Sequence, residues 1–255
     1  MGFYKDGIVN FLPNAKATWW ATPHAASRST SAFLHRVDTI VVLSTRTGEP
    51  VVQEDLNVNY IHSYGYFEPH LNKNYFLFCS IRNPYGRFCS WWRQNSIFGK
   101  YETLISYSEY VTRHQQYTRE HMNNFNIIFN ILKTSTRCKK MPDQYLRQEC
   151  LTEDIKKLPF VNLSNPVVNE ALQQHIINNN TSLLEKKMVF NKTVANKFNN
   201  PDRINLIRPW KEYYDEELAN LVYEFFKEDF KYFGYSKDSW KQGVSSAPYN
   251  PDLYR

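Results

Sequence analysis

Two apolar runs, each leading straight into a turn and then an amphipathic helix, constrain the fold of this 255-residue chain more than any other feature. The first is Ala17-Thr18-Trp19-Trp20-Ala21-Thr22, followed by Pro23 and a run of small polar residues, after which 29–36 reads as a helix. The second is Tyr75-Phe76-Leu77-Phe78-Cys79-Ser80-Ile81, followed by Arg82-Asn83-Pro84. Pro84 suits the first turn of a helix that would run to about residue 93. Between them, 40–44 and 58–62 are short β-rich runs, with a turn signal at Thr47-Gly48-Glu49-Pro50. Strand, turn and helix repeated in this way predict an α/β fold, with a central parallel β-sheet flanked by helices. Downstream, 108–116, 119–132 and 144–158 read as helices, and the polar, Asn-rich stretch 162–205 as partly loop. The segment 216–233 reads as a closing helix with one wet and one buried face.

Composition removes several function classes. There are only eight glycines, at 2, 7, 48, 65, 86, 99, 234 and 243, and no two share a G-x-G spacing. The dinucleotide fingerprint, the Walker A loop and the kinase Gly-rich loop are therefore absent, and so is the G-x-S-x-G nucleophile elbow. Lys and Arg number 31 against 25 Asp and Glu, a net charge of +6 that is spread along the chain. That suits a small anion or an anionic glycan, whereas a nucleic-acid binder would need clustered charge. No run of 18 apolar residues occurs, so no membrane-spanning helix is expected. Met1-Gly2-Phe3-Tyr4-Lys5-Asp6 lacks a signal core, and Asp6 stands where myristoylation needs Ser or Thr, so a cytoplasmic location is expected.

Cysteines at 79, 89, 138 and 150 form no C-x-x-C pair, which sets aside zinc-ribbon and thioredoxin-like readings. Cys79 and Cys89 fit buried thiols, and Cys138 and Cys150 are expected to be reduced although a bridge between them is conceivable. The sequons at Asn162, Asn179, Asn180 and Asn191 carry little weight without a secretory signal. His114 and His121 could share a helix face, but no Asp or Glu completes a metal set, and no metal is expected. The basic run 133–140 reads as a wet loop, and the Trp19-Trp20 and Trp91-Trp92 pairs as core or pocket wall.

The chemistry concentrates where the two strands end. A strand–turn–helix unit offers backbone N–H groups and the positive end of a helix dipole. In the first unit, Ala25 and Ala26 are small where a backbone must approach a ligand, and Ser27, Arg28, Ser29 and Thr30 follow at the helix start. Hydroxyls and a guanidinium there can grip an oxyanion; taken alone, the segment fits a Ser/Thr helix cap equally well. In the second unit Arg82 stands at the strand end and Ser90 eight residues on, about 12 Å of helix. Both can meet one ligand if the helix runs back along its strand; otherwise Arg82 pairs locally and Ser90 is an ordinary helix residue.

Together these segments resemble the paired phosphate-binding segments of sulfotransferases that use 3′-phosphoadenosine 5′-phosphosulfate (PAPS). Residues 23–30 resemble the P-K-T-x-x-T-S loop for the 5′-phosphosulfate. Residues 75–90 resemble F-x-F-x-x-x-R-N-P-Y-x-R-x-x-S, whose Arg and Ser hold the 3′-phosphate, the best match being the carbohydrate-sulfotransferase branch. Pro142-Asp143-Gln144-Tyr145-Leu146 through Asp154, and Tyr213-Tyr214-Asp215 through Tyr235, resemble two further stretches of that branch, while 160–205 is unmatched.

The resemblance implies a P-loop-like sulfotransferase domain over 1–255, with a nucleotide-binding core at 1–95. Residues 96–205 would form a helical acceptor side, and 206–255 a C-terminal helix and tail. It implies PAPS as donor, 3′-phosphoadenosine 5′-phosphate (PAP) as product, and a hydroxyl acceptor on a glycan. His24, Ala25, Ala26, Ser27, Arg28, Ser29 and Thr30 would hold the 5′ end, and Arg82 and Ser90 the 3′-phosphate. His24 departs from the Lys or Arg that usually follows the proline; its imidazole can donate one hydrogen bond, while Arg28 supplies permanent charge. His62, at the carboxyl end of an expected strand, is the candidate general base, with Glu54, Glu68 and His70 in reserve. The rivals are a non-catalytic binder that keeps the nucleotide fold and a P-loop-like kinase, the latter disfavoured by the missing Walker A pattern. Oligomeric state is not legible in the sequence.

Overall fold

The computed structural model describes residues 8–22, 25–38, 41–43, 50–52, 75–93, 106–112, 141–177 and 209–241. They fall into two compact units, 1–82 with 126–179 and 83–125 with 180–255.

The first unit is built on a sheet. Strands β1 (Ile8–Leu12) and β2 (Ala17–Ala21) form an antiparallel hairpin in register from Ile8↔Ala21 to Leu12↔Ala17. The four intervening residues begin with Pro13 and end with Lys16 at φ 49, where its N–H donates back to the Pro13 carbonyl at 3.3 Å. Helix α1 (Ser27–Val37) ends beside this turn. There the Asp38 carboxylate accepts from Asn14 Nδ2 at 2.7 Å and from the Ala15 N–H at 2.8 Å. Strands β3 (Val41–Leu43), β4 (Pro50–Val52), β5 (Phe76–Ile81) and β6 (Gln144–Arg147) complete the sheet. Among the described residues the strand order is β4-β3-β1-β2-β5-β6.

Among the described strands only β2, β5 and β6 run parallel. The expected parallel sheet is thus corrected to a mixed one, because β1, β3 and β4 pair antiparallel. The physical reason lies in β1, which the sequence reading overlooked. A four-residue turn can join only antiparallel strands, since a parallel pair needs a long crossover. On one face, Trp19 and Phe78 of the sheet pack with Phe33 and Leu34 of α1. Leu151 and Ile155 join them from α3 (Leu151–Lys156), and Val168, Ala171 and Leu172 from α4 (Pro166–Leu172). Asn165 caps α4 by accepting from the Val167 N–H at 3.0 Å, and a π-helical turn, Gln173–Ile177, continues it.

Residues 144–158 are not one helix as expected. They form β6, a 3₁₀ turn (Gln148–Cys150) and α3. The open edge of β5 overrides local helical spacing, beginning where the Leu77 N–H donates to Asp143 Oδ2 at 2.8 Å and the Asp143 N–H to the Leu77 carbonyl at 2.7 Å. Arg147 then grips Asp154 through Nε at 2.8 Å and Nη2 at 2.6 Å, folding α3 back onto the strand.

The second unit is helical and aromatic. It holds α2 (Pro84–Trp92), a helical stretch at 107–112, a 3₁₀ turn (Trp210–Tyr213), α5 (Glu216–Phe225) and α6 (Lys227–Phe233). The expected single helix over 216–233 breaks at Phe226, whose backbone (φ −109, ψ 23) leaves the helical region. Tyr85, Phe88, Tyr107, Tyr214, Phe226 and Phe230 are all buried here. Tyr107 donates to the Tyr214 hydroxyl, which donates to the Tyr85 carbonyl at 2.9 Å. Burial, and then the neighbouring Tyr214, holds the Tyr107 phenol well above its ordinary range. The expected strand at 58–62 and helix at 119–132 lie outside the described residues.

Candidate functional site

Parallel strands align their carboxyl ends, and ligands of open α/β sheets gather there. In the first unit β2 and β5 are neighbours in the register Trp20↔Cys79, so the turns after Ala21 and Ile81 leave the sheet side by side. Two side chains fix that edge: Trp19 Nε1 donates to Ser80 Oγ at 2.9 Å, and Thr22 Oγ1 donates to the Ser80 carbonyl. Thr22 is buried and ties the end of β2 to β5, a role that no local sequence signal announces.

The start of α1 leaves backbone donors unsatisfied. Ala26 adopts the left-handed conformation (φ 57, ψ 22), which costs a residue with a Cβ about 1–2 kcal/mol, immediately before the right-handed α1. A left-handed and a right-handed residue in succession turn their N–H groups into one concavity. The first intrahelical bond runs from the Thr30 N–H to the Ala26 carbonyl at 3.0 Å, so the N–H groups of Ser27, Arg28 and Ser29 come before the helical ladder begins. Among the described residues no side chain caps this end. Thr30 is fully buried, and its Oγ1 finds no hydrogen-bond partner among the described residues. A buried hydroxyl left in that state is uncommon and marks a place for a ligand or water.

Of the other residues singled out, Ala25 is buried and Ser29 half-buried; Ser27 and Arg28 are described in backbone only, as the first turn of α1. Arg82 follows β5 and is half-buried at the end of the first unit; Ser90, also half-buried, lies in α2 of the second. His24, His62, Glu54, Glu68 and His70 lie outside the described residues, as do His114, His121 and Cys138. Cys79 and Cys89 are buried, as expected of them.

Two residues of the quoted motifs turn out to be architectural. Arg87 is buried with Asp229, Nη1 to Oδ2 at 3.4 Å, and its guanidinium carbon lies 6.0 Å from the centre of the Phe226 ring. It therefore joins the second motif to the last one. Asn83 caps α2 by accepting from the Tyr85 N–H at 3.0 Å, a role that a sequence Asn-Pro at a helix start could have signalled.

Residues 43–236, well over half of the chain, match the model of the sulfotransferase family. The chain belongs to the sulfotransferase family. No curated protein and no solved structure matches it. As a sulfotransferase it is a transferase that acts on sulfuryl groups, built on a mixed α/β fold. The match takes in Arg82, Ser90, Arg87 and Asp229 and starts beyond α1, so it does not reach the start of that helix. No helix of the described residues is long and apolar enough to cross a membrane.

Proposed function

We propose that this sulfotransferase takes its sulfuryl group from PAPS and delivers it to a hydroxyl, on a carbohydrate acceptor. The observation that carries the donor is the orphaned, buried hydroxyl of Thr30 beside the uncapped start of α1. That turn presents a hydroxyl, a group of backbone N–H donors and no acid among Ser27-Arg28-Ser29-Thr30, which is the donor chemistry that a terminal phosphosulfate needs. In this reading the whole chain acts as one sulfotransferase domain with a P-loop-like cradle.

Ser27 to Thr30 hold the 5′ end, with Ala25 and Ala26 letting the backbone approach and His24 placed near the bridging oxygen. Arg82 and Ser90 hold the 3′-phosphate. Bound PAPS supplies an activated sulfate with PAP as its leaving group. What remains for the protein is in-line positioning and stabilisation of charge on the bridging oxygen. His62 accepts the proton of the acceptor hydroxyl. These roles are supported by the resemblance of the two segments to the family's phosphate-binding motifs, the second segment lying within the family match. The carbohydrate acceptor is supported by the resemblance of 142–154 and 213–235 to that branch.

Calorimetry of the protein with PAP against ADP tests the donor: PAP should bind and ADP bind far more weakly. Equal or absent binding would refute this reading. Transfer of radiolabelled sulfate from PAPS to a panel of glycans tests the acceptor, and His62→Ala should lose turnover while keeping PAP affinity. One feature favours a second reading, a non-catalytic nucleotide binder: His24 stands where Lys or Arg usually follows the proline. PAP binding without sulfate transfer to any acceptor would select it.

A further inference from the structure

Within the second unit, a short tail closes on the start of α2. Gly234 takes the left-handed conformation (φ 69) that ends α6, and the Tyr235 N–H donates to the Phe230 carbonyl at 3.0 Å, turning the chain back. Residues 236–241 then coil on themselves. The Asp238 N–H donates to Ser236 Oγ at 3.1 Å, the Ser239 N–H to the Ser236 carbonyl at 3.0 Å and the Lys241 N–H to the Asp238 carbonyl at 2.9 Å. This coil meets α2 at two points. Asn83 Nδ2 donates to Ser239 Oγ at 2.9 Å, and the Tyr85 hydroxyl donates to the Lys237 carbonyl at 2.7 Å.

Asn83 is held from both sides of its carboxamide. Its Oδ1 takes the Tyr85 N–H, which forces Nδ2 toward Ser239, and both Asn83 and Ser239 are buried. One peptide bond separates this clamped residue from Arg82, and proline on its other side removes further backbone freedom. The clamp therefore fixes the residue that directly follows Arg82 in the chain.

We infer that Ser239, acting through Asn83, is a positioning residue for recognition of the donor's 3′-phosphate, and that the 236–241 coil is the clip that holds it. This rests on the reading of Arg82 as a 3′-phosphate residue. The clip contributes no atom to the ligand; it narrows the range of positions from which Arg82 can reach it. Its signature is therefore discrimination between nucleotides that differ only in the 3′-phosphate.

The test compares PAP with adenosine 5′-phosphate, which lacks that group, by calorimetry on the full chain. Wild type should bind PAP more tightly. Ser239→Ala should weaken PAP about fivefold, the worth of one buried hydrogen bond, and leave adenosine 5′-phosphate unchanged. Ser239→Thr, which keeps the acceptor oxygen, should restore the preference. Tyr85→Phe releases the other end of the clip and should reproduce the selective loss, so it decides the matter should Ser239→Ala fail to fold. Unchanged PAP affinity in these variants, or equal losses for both nucleotides, overturns the inference and leaves the donor reading intact. A wild type that cannot tell the two nucleotides apart overturns the Arg82 assignment, and this inference falls with it.

Discussion

Arg87 and Asp229 are 2% and 1% exposed, so two opposite charges have been taken out of water together. Truncating one member of a buried ion pair costs about 3–5 kcal/mol, whereas replacing both partners with apolar groups costs far less. Arg87→Ala should therefore lower unfolding stability in urea by roughly that amount. Arg87→Met combined with Asp229→Leu should recover most of it, and a near-neutral Arg87→Ala would contradict the buried pairing. Thr30 behaves in the opposite sense. Its hydroxyl stands without a hydrogen-bond partner among the described residues, so Thr30→Val removes an unmet polar group while keeping the shape. That variant should be as stable as the parent or up to about 1 kcal/mol more so, yet bind PAP more weakly. A clear fall in melting temperature would mean that the free protein already satisfies this hydroxyl.

Elements whose ends are marked by chemistry were readable from sequence. Helices α1 and α2 follow strong turn signals, and the structure places them at Ser27–Val37 and Pro84–Trp92, within two residues of expectation. Strand β6 was not readable, because Gln144-Tyr145-Leu146-Arg147 has no strand alternation of its own and is extended only because β5 offers it an edge. The break at Phe226 carries no Gly or Pro to announce it. The candidate site divides in the same way. Arg82 and Thr30 lie in local motifs, but the bond from Asn83 to Ser239 spans 156 residues, a distance over which a single sequence carries no pairing signal.

At the interface of α1 with the π-helical turn, burial lowers the pKa of His35 below its ordinary 6.5. Burial, and then Arg36, does the same to His175. The unfolded chain takes up these protons near pH 6.5 and the folded chain only at lower pH, so the unfolded state binds more protons in that window. The stability they contribute is complete above about pH 6.5 and lost as the pH falls below it. Melting temperature should drop between pH 7.5 and 5.5, and His35→Leu should flatten part of that slope. A slope unchanged in His35→Leu would remove His35 from the account.

Over the whole molecule, neither compact unit is one continuous stretch, since the first takes 1–82 with 126–179 and the second 83–125 with 180–255. The core under the sheet draws Leu146, Leu151, Ile155, Leu158, Val168 and Leu172 from beyond residue 140. A fragment ending at residue 140 loses all of them and should lack the near-ultraviolet circular dichroism of the full chain. A cooperatively folded fragment would show that the sheet does not need this second segment.

The position of β5 also governs how the chain reaches its native state. Its register joins Ala17 to Phe76 on one side and Phe78 to Gln144 on the other, so each pairing closes a loop of about sixty residues or more. The β1–β2 hairpin closes across only four. Loop closure of that length delays contact formation, which puts the hairpin early and the β5 pairings late along the folding path. Substitutions in β1 should then act mainly on the refolding rate and those in β6 mainly on the unfolding rate, as stopped-flow kinetics would record. The end of β5 would in that case acquire its second neighbour only at a late step, so, on the function proposed above, a nascent chain could not bind nucleotide until β6 is in place.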